Sequence, residues 1–500
     1  MKQRVFSVFN AQRDTHMKLN RRRFLTHTAA VTAGFAGLRA FAQDASPGAV
    51  ADQLSSQFGF GSLVKDVQGV LDLPAGFSYH VFSKTGETMD DGLFVPAKHD
   101  GMAAFPGPDG LTLLVRNHEV TGAKFREGAF GWQNELIHKI DSDMAYDFGF
   151  GKTPTLGGTT TLAYDTKRKR LVRHWLSLAC TERNCAGGPT PWGSWVTCEE
   201  TVSRAGDARE KDHGYNFEVP ATAEVSLARP VPLKAMGRFN HEAIAVDPDT
   251  GIVYQTEDRQ DGVIYRFIPN TPGKLADGGR LQALAIRGMQ PIDLRNWHGD
   301  APAKLYNGGA GDGSFEIDTA KMLLMHQGDI FDAEWVDVDG VESPDDSLRY
   351  QAYGKGAARF ARAEGMWHGH QSIYFATTTG GRNAKGQIWR YVPSRFEGTA
   401  DEARFPGRLE LFIEPNDAKV LQYADNICVA PWGDLIVCED GGPVNHILGV
   451  TPEGGIYQIA RNAMNSSEFA GSCFSPDGTT LFVNIQNFGL TVAITGPWAS

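Results

Sequence analysis

The chain has 500 residues, 21% of them charged, with 48 Lys and Arg against 59 Asp and Glu for a formal net charge of −11. Fifty-seven glycines, 10% aromatics and no long heptads point to a β-rich globular protein with many turns. The acidic balance excludes a partner bound through a nucleic-acid backbone, and no segment after the N-terminal region is apolar for long enough to span a bilayer.

Residues 1–42 read as an export signal rather than as part of the fold. Asn20-Arg21-Arg22-Arg23-Phe24-Leu25-Thr26 is a twin-arginine sequence, Ala29 to Leu38 is a weakly apolar run, and Ala40-Phe41-Ala42 is an A-x-A cleavage site. The expected partner is the twin-arginine export machinery, and the expected location is periplasmic or secreted, with no stable membrane anchor. That route carries folded proteins, often because a metal or cofactor is loaded before export. Without residues 1–42 the chain keeps 40 basic and 58 acidic residues, a formal charge of −18. A surplus of carboxylates suits calcium.

Residues 43–70 read as a linker, and residues 71–500 as a single catalytic domain. Leu73 to Phe82 is a first strand entered through a Pro-Gly turn. Asp100 then leads through Pro106-Gly107-Pro108-Asp109-Gly110 to a strand ending at Asn117-His118-Glu119. The plan recurs. Cys185 leads through Pro191-Trp192-Gly193 to Cys198-Glu199-Glu200. Glu242 leads through Asp247-Pro248-Asp249 to Glu257-Asp258. Glu364 leads through His368-Gly369 to Ser372–Thr377. Asp425-Asn426 leads through Pro431-Trp432-Gly433 to Glu439-Asp440. Glu468 leads through Pro476-Asp477-Gly478 to Leu481–Asn484. Each is a polar residue, an apolar strand, a Pro/Asp/Gly turn and a second apolar strand. A tight hairpin returns the chain, so both polar ends lie at one edge.

Six such hairpins predict an all-β fold, a six-bladed β-propeller with a few short helical insertions, Ala123–Asp147 and Asp318–Glu334 being the candidates. The leading residues Asp100, Cys185, Glu242, Glu364, Asn426 and Glu468 would then ring one mouth of the central channel. Glu119, Glu199, Glu200, Glu257, Asp258, Glu439 and Asp440 would lie near the same rim. So many carboxylates repel one another unless cations neutralise them. A thiol beside carboxylates suits a transition metal next to a harder cation. His118, His241 and His446 are either ligands or hydrogen-bonders to ligands. Trp192, Trp195 and Trp367 read as blade packing, and Cys428, Cys438 and Cys473 as buried thiols.

These residues resemble the PhoX-type alkaline phosphatases. The likeness rests on Asn184-Cys185 through Cys198-Glu199-Glu200, on Asn240-His241-Glu242, on Phe360-Ala361-Arg362-Ala363-Glu364-Gly365, and on Ser467-Glu468-Phe469-Ala470-Gly471 with Ser475-Pro476-Asp477-Gly478. Val115-Arg116-Asn117-His118-Glu119 and Asp425-Asn426 are similar too. The resemblance implies a six-bladed propeller, Fe3+ and Ca2+ at the channel mouth, and hydrolysis of small-molecule phosphate esters. Carried over by motif, Cys185 would be the iron thiolate, with Cys198 its rival. Glu242 and Glu364 would be bridging or terminal ligands, and Glu119, Glu199, Glu200 and Glu468 further ones. Arg362 would hold phosphate as a bidentate donor, acting with Glu364 in catalysis. The sequence also leaves two other readings: a calcium-dependent propeller hydrolase of lactonase type, and a non-catalytic propeller binding module. Nothing in it indicates an oligomer, so a monomer is expected.

Overall fold

Short runs of apolar residues between turns form strands here because their side chains alternate between two buried faces, each face covered by a neighbouring sheet. The structure, a computed structural model, describes residues 47–121, 127–298 and 321–498. The export signal lies outside the described residues. Ala51–Ser500 form one unit, and of Met1–Val50 only residues 47–50 are described.

The strands form a β-propeller. Blade one is His99–Pro106, Thr112–His118, Gly157–Asp165 and Arg170–Thr181. Blade two has three strands, Asn184–Pro189, Ser194–Glu199 and Asn216–Pro220. Blade three is His241–Val246, Val253–Glu257, Tyr265–Pro269 and Gly279–Ile286; blade four is Ala363–Gly369, Ser372–Thr377, Gln387–Val392 and Arg408–Ile413. These two are joined into one nine-stranded sheet by Ile330–Asp337, which pairs with the outer strand of each. Blade five is Ala424–Val429, Leu435–Glu439, His446–Val450 and Ile456–Asn462, extended by Leu71–Pro74 and Leu63–Val64. Blade six is Phe469–Phe474, Thr480–Ile485 and Leu490–Thr495, with Ser78–Lys84 as its outermost strand. The leading strands follow one another in order, and the sixth lies against the first. The N-terminal strand therefore closes the ring by pairing with the C-terminal one, which removes a free edge.

Two expectations need correction. The described part of Asp318–Glu334 contains no helix; Ile330–Asp337 is the strand that fuses blades three and four. Residues 43–70 are more than a linker. Pro47–Phe58 is helical, Leu54 and Ser55 are buried, and Phe60 packs among Phe77, Trp432, Tyr457 and Trp498. Between the blades lie dry cores such as Leu481, Val483 and Ile485 against Ile436 and Ile447, all fully buried. Each such side chain contributes roughly 1.5–3 kcal/mol by leaving water. On the axis the channel shrinks to a void of about 10 Å³, room for about one water.

Candidate metal centre

A single backbone device, repeated round the ring, builds the site. In each leading strand one residue more than the partner strand offers is inserted near the start. The pairing jumps between His99 and Met102, Asn184 and Gly187, His241 and Ile244, Ala363 and Met366, Ala424 and Ile427, and Ala470 and Cys473. A β-bulge of this kind re-aims a side chain. The first bulged residue is Asp100, Cys185, Glu242, Glu364 and Asp425 in blades one to five. In blade six the bulge falls one residue later, on Gly471 and Ser472, and Ala470, still paired with Asn484, takes the corresponding place two residues after Glu468. The next residue is Gly101, Ala186, Ala243, Gly365 or Gly471, small because the neighbouring strand is in contact, with Asn426 the exception in blade five. A Cβ on Gly365 would lie 2.5 Å from the Asp425 carbonyl oxygen, and one on Gly471 2.3 Å from that of Asp100.

The ring so formed is contiguous. Asp100, Glu119 and Cys185 bring one ligand atom each within 4.8 Å of the others, as do Cys185, Glu200 and Glu242, and again Glu242, Glu364 and Asp425. The three groups are linked through Cys185 and Glu242. Burial pushes the Glu242 carboxyl well up, and the charges of Glu364 and Glu200 push it further. Asp100, Glu200, Glu364 and Asp425 are raised in the same way, burial first. Burial also raises the Cys185 thiol, with Asp100 and Glu242 adding to it. Both carboxylate oxygens of Glu242 are buried and lack a hydrogen-bond partner. An unpaired buried carboxylate is costly, so this donor set fits cations. The thiol suits a soft transition metal, and the all-oxygen group a hard ion.

The ring differs from the expected one in two blades. The blade-five member is Asp425, not Asn426, whose side-chain oxygen instead accepts the Gly471 N–H at 3.0 Å. Glu468 stands two residues before the ring position of blade six. It is pushed up by burial and then by Asp440, on the side of Asp425 and Asp100, and joins none of the three groups.

Glu199 is also outside the groups. Strand alternation resolves the acidic pairs: the first member faces into its blade and the second faces the mouth. Glu199 accepts from His213 Nδ1 (2.7 Å) and from the N–H groups of Glu182, Gly214 and Tyr215. Glu257 meets Tyr265 and Arg349, and Glu439 meets His446. None of the three candidate histidines joins the ring. His241 stacks on Phe239 and bonds the Gly237 carbonyl, and burial lowers it to about 3. His118 bonds the Ala97 carbonyl and Thr160. Cys198 is packed among Val196, Ile244 and Val263 in an apolar core. Trp195 is buried, with its indole N–H on Asn117.

His213 lies between two carboxylates, with Nε2 3.1 Å from Asp147. Burial opposes its charge, but Glu199 and Asp147 outweigh that and raise it to about 9. A raised imidazole contributes stability in full below its ordinary value near 6.5 and loses it as pH rises through about 9. Urea unfolding from pH 6 to 10 is therefore expected to show a fall of about 3 kcal/mol from this group. His213→Gln should flatten that part of the profile. An unchanged slope in the variant would show the imidazole to be neutral throughout.

Above the ring sits a third tier that the sequence reading missed except for Arg362 and Glu468. Two residues before each ring position stand Lys98, Arg183, Asn240, Arg362, Tyr423 and Glu468. In each blade this residue's carbonyl accepts the N–H of the residue just after the second strand, namely Glu119, Glu200, Asp258, Thr378, Asp440 and Gln486. Lys98, Arg183, Arg362 and Tyr423 all take left-handed backbone, with φ between 48° and 53°. Non-glycine residues keep such a conformation only where the surroundings enforce it, typically at functional sites. Arg362 donates from Nε and Nη2 to the two oxygens of Asp258 (2.8 and 3.0 Å), and from Nη2 to Glu364 (2.6 Å). Gln486 ties blade six to blade one by donating to Asp100 and Glu119.

Comparison with known proteins bears on the fold and the family. No curated protein sequence matches the chain significantly. Among solved structures, Pseudomonas fluorescens PhoX in complex with vanadate, a transition state analogue, is similar in fold: TM-score 0.60, 18% identity, 86% of this chain and 96% of that one. A gluconolactonase from Xanthomonas campestris matches at TM-score 0.37 and 11% identity over 87% of this chain and 99% of its own. The model of the family described as alkaline phosphatase PhoX matches residues 58–489. With that match over most of its length, the chain belongs to the alkaline phosphatase PhoX family, a family of metal-dependent phosphatases.

Proposed function

We propose that the chain hydrolyses small-molecule phosphate monoesters over a cluster of Fe3+ and Ca2+ at the channel mouth. It would do so in the periplasm or outside the cell, after twin-arginine export. One observation carries the reading: Glu242, buried with neither oxygen partnered, joins two acidic groups at the centre of the ring. Among the described residues no helix is long and apolar enough to cross a membrane.

Asp100, Glu119, Cys185, Glu200, Glu242, Glu364 and Asp425 would hold the ions, Cys185 as the iron thiolate. Glu468 offers a further carboxylate at the rim, and Glu199 holds its strand end in place through His213. When bound, such ions neutralise phosphate oxygens and lower the pKa of a water. The chain's own contribution is positioning. Arg362, fixed by Asp258, presents a planar donor to the non-bridging oxygens of the phosphoryl group. Water adds to phosphorus, the ester P–O bond breaks, and a proton ends on the leaving alcohol.

Turnover of p-nitrophenyl phosphate, with and without a chelator, tests this reading. Activity should vanish with chelation and return with calcium. Elemental analysis should find iron, and Cys185→Ser should lose it together with any visible absorption, whereas Cys198→Ser keeps both. Full activity in metal-free protein would overturn the proposal, and activity on a lactone instead of the phosphate ester would favour the lactonase reading.

A further inference from the structure

Arg183 occupies in blade two the place that Arg362 holds in blade four. Each stands two residues before a ring ligand, Cys185 or Glu364. Each has left-handed backbone, φ 53° and φ 50°. Each carbonyl accepts an N–H from the residue just after the second strand of its blade. Each side chain reaches the acids of the ring. Arg183 donates from Nε to Glu119 at 2.8 Å, and its Nη2 is 3.0 Å from Glu200. It thereby spans the Asp100–Glu119–Cys185 and Cys185–Glu200–Glu242 groups, while Arg362 serves the Glu242–Glu364–Asp425 group. Asn240, between them in blade three, donates to Glu200 at 3.2 Å. Donors thus arc over blades two to four, with Lys98 extending the arc to blade one. Tyr423 and Glu468 take the same place on the other side.

Nothing in the fold demands a guanidinium at this position, since blades three and five carry Asn240 and Tyr423 there. The left-handed backbone belongs to the position, since Lys98 and Tyr423 share it with the two arginines. The Arg183 side chain is 39% exposed against 25% for Arg362, and its Nη1, held only by a long 3.4 Å bond to the Glu200 carbonyl, keeps donor capacity. A guanidinium suits phosphate because its planar donors pair with two oxygens at once.

We infer that Arg183 is a second substrate-binding arginine, and that it makes the site selective for dianionic phosphate monoesters over phosphodiesters. A monoester presents three unesterified oxygens and two negative charges. A diester presents two oxygens and one charge, so it can satisfy one arginine beside the cations but not both. The inference rests on the phosphatase reading above.

The test compares metal-loaded wild type with Arg183→Gln and Arg183→Lys on p-nitrophenyl phosphate and bis(p-nitrophenyl) phosphate. Arg183→Gln is expected to lower kcat/KM for the monoester about 30-fold or more, to change the diester less than threefold, and to weaken competitive inhibition by inorganic phosphate by a similar factor. Metal content should be unchanged, and Arg183→Lys should restore part of the monoester rate. Equal losses on both esters, or loss of metal, would overturn the inference by showing that Arg183 only steadies Glu119 and Glu200. No change in either rate would overturn it too. A wild type inactive on both esters would instead sink the phosphatase reading itself.

Discussion

Glu242→Gln is expected to lower kcat/KM for p-nitrophenyl phosphate on the order of 10³-fold, about 4 kcal/mol of transition-state stabilisation. The loss should come with a fall in bound metal, measured on the same preparation. The second half of the expectation separates this variant from an ordinary damaging one. In chelated protein the substitution should leave the melting temperature unchanged or raise it. Glu242 is crowded by Glu364, Glu200, Asp425 and Asp100, and its oxygens have no protein partner. An amide of the same shape relieves that crowding, because a buried ionised group without a counter-charge destabilises. A residue kept at a cost to stability and needed for activity is the mark of a functional site. Retention of more than a tenth of the activity with full metal content would refute the assignment of Glu242 as a shared ligand. A lower melting temperature in chelated protein would show that it serves packing instead.

Arg362→Ala is expected to cost about 10²- to 10³-fold in kcat/KM, the usual range for removing one preorganised donor from a developing charge. Arg362→Lys should recover only a minor part, since an ammonium cannot reproduce the planar two-oxygen contact. Metal content must be followed alongside, because Arg362 also neutralises Asp258 and Glu364. Burial would raise Asp258, yet the guanidinium holds it below the ordinary carboxylate range. Added guanidinium ion should partly rescue the alanine variant if geometry and charge are the missing elements. An alanine variant with normal turnover and its metals in place would remove Arg362 from the mechanism.

Much of this centre was legible in the sequence because hairpins impose it. A Pro/Asp/Gly turn between two apolar strands returns the chain to its starting edge, so Cys185, Glu242 and Glu364 had to meet if the hairpins shared one axis. What could not be read was the direction of individual side chains. Glu199 and Glu200 look interchangeable in sequence, and strand alternation alone decides which faces the mouth. The one-residue bulge shifts the ring from Asn426 to Asp425, and pairing register is not written in a hairpin of this length. Arg183, Lys98 and Gln486 were missed because their role depends on a left-handed backbone and on contacts between the first and last blades. A repeat at the position two before each ring residue was available, but only once that register was known. Asp318–Glu334, in which the strand Ile330–Asp337 begins, was taken as an insert because a strand fusing two blades has no counterpart in the other four.

The joint between Ser78–Lys84 and Leu490–Thr495 has a consequence for timing. Gln486, which orients Asp100 and Glu119, and Leu490–Thr495, which Ser78–Lys84 covers, follow the strands of the other five blades in the chain. Until blade six has folded, the ring is therefore open with its carboxylates apart, and such long-range pairing forms late. Uptake of ions would then report a closed ring, available only to molecules in which blade six has met blade one.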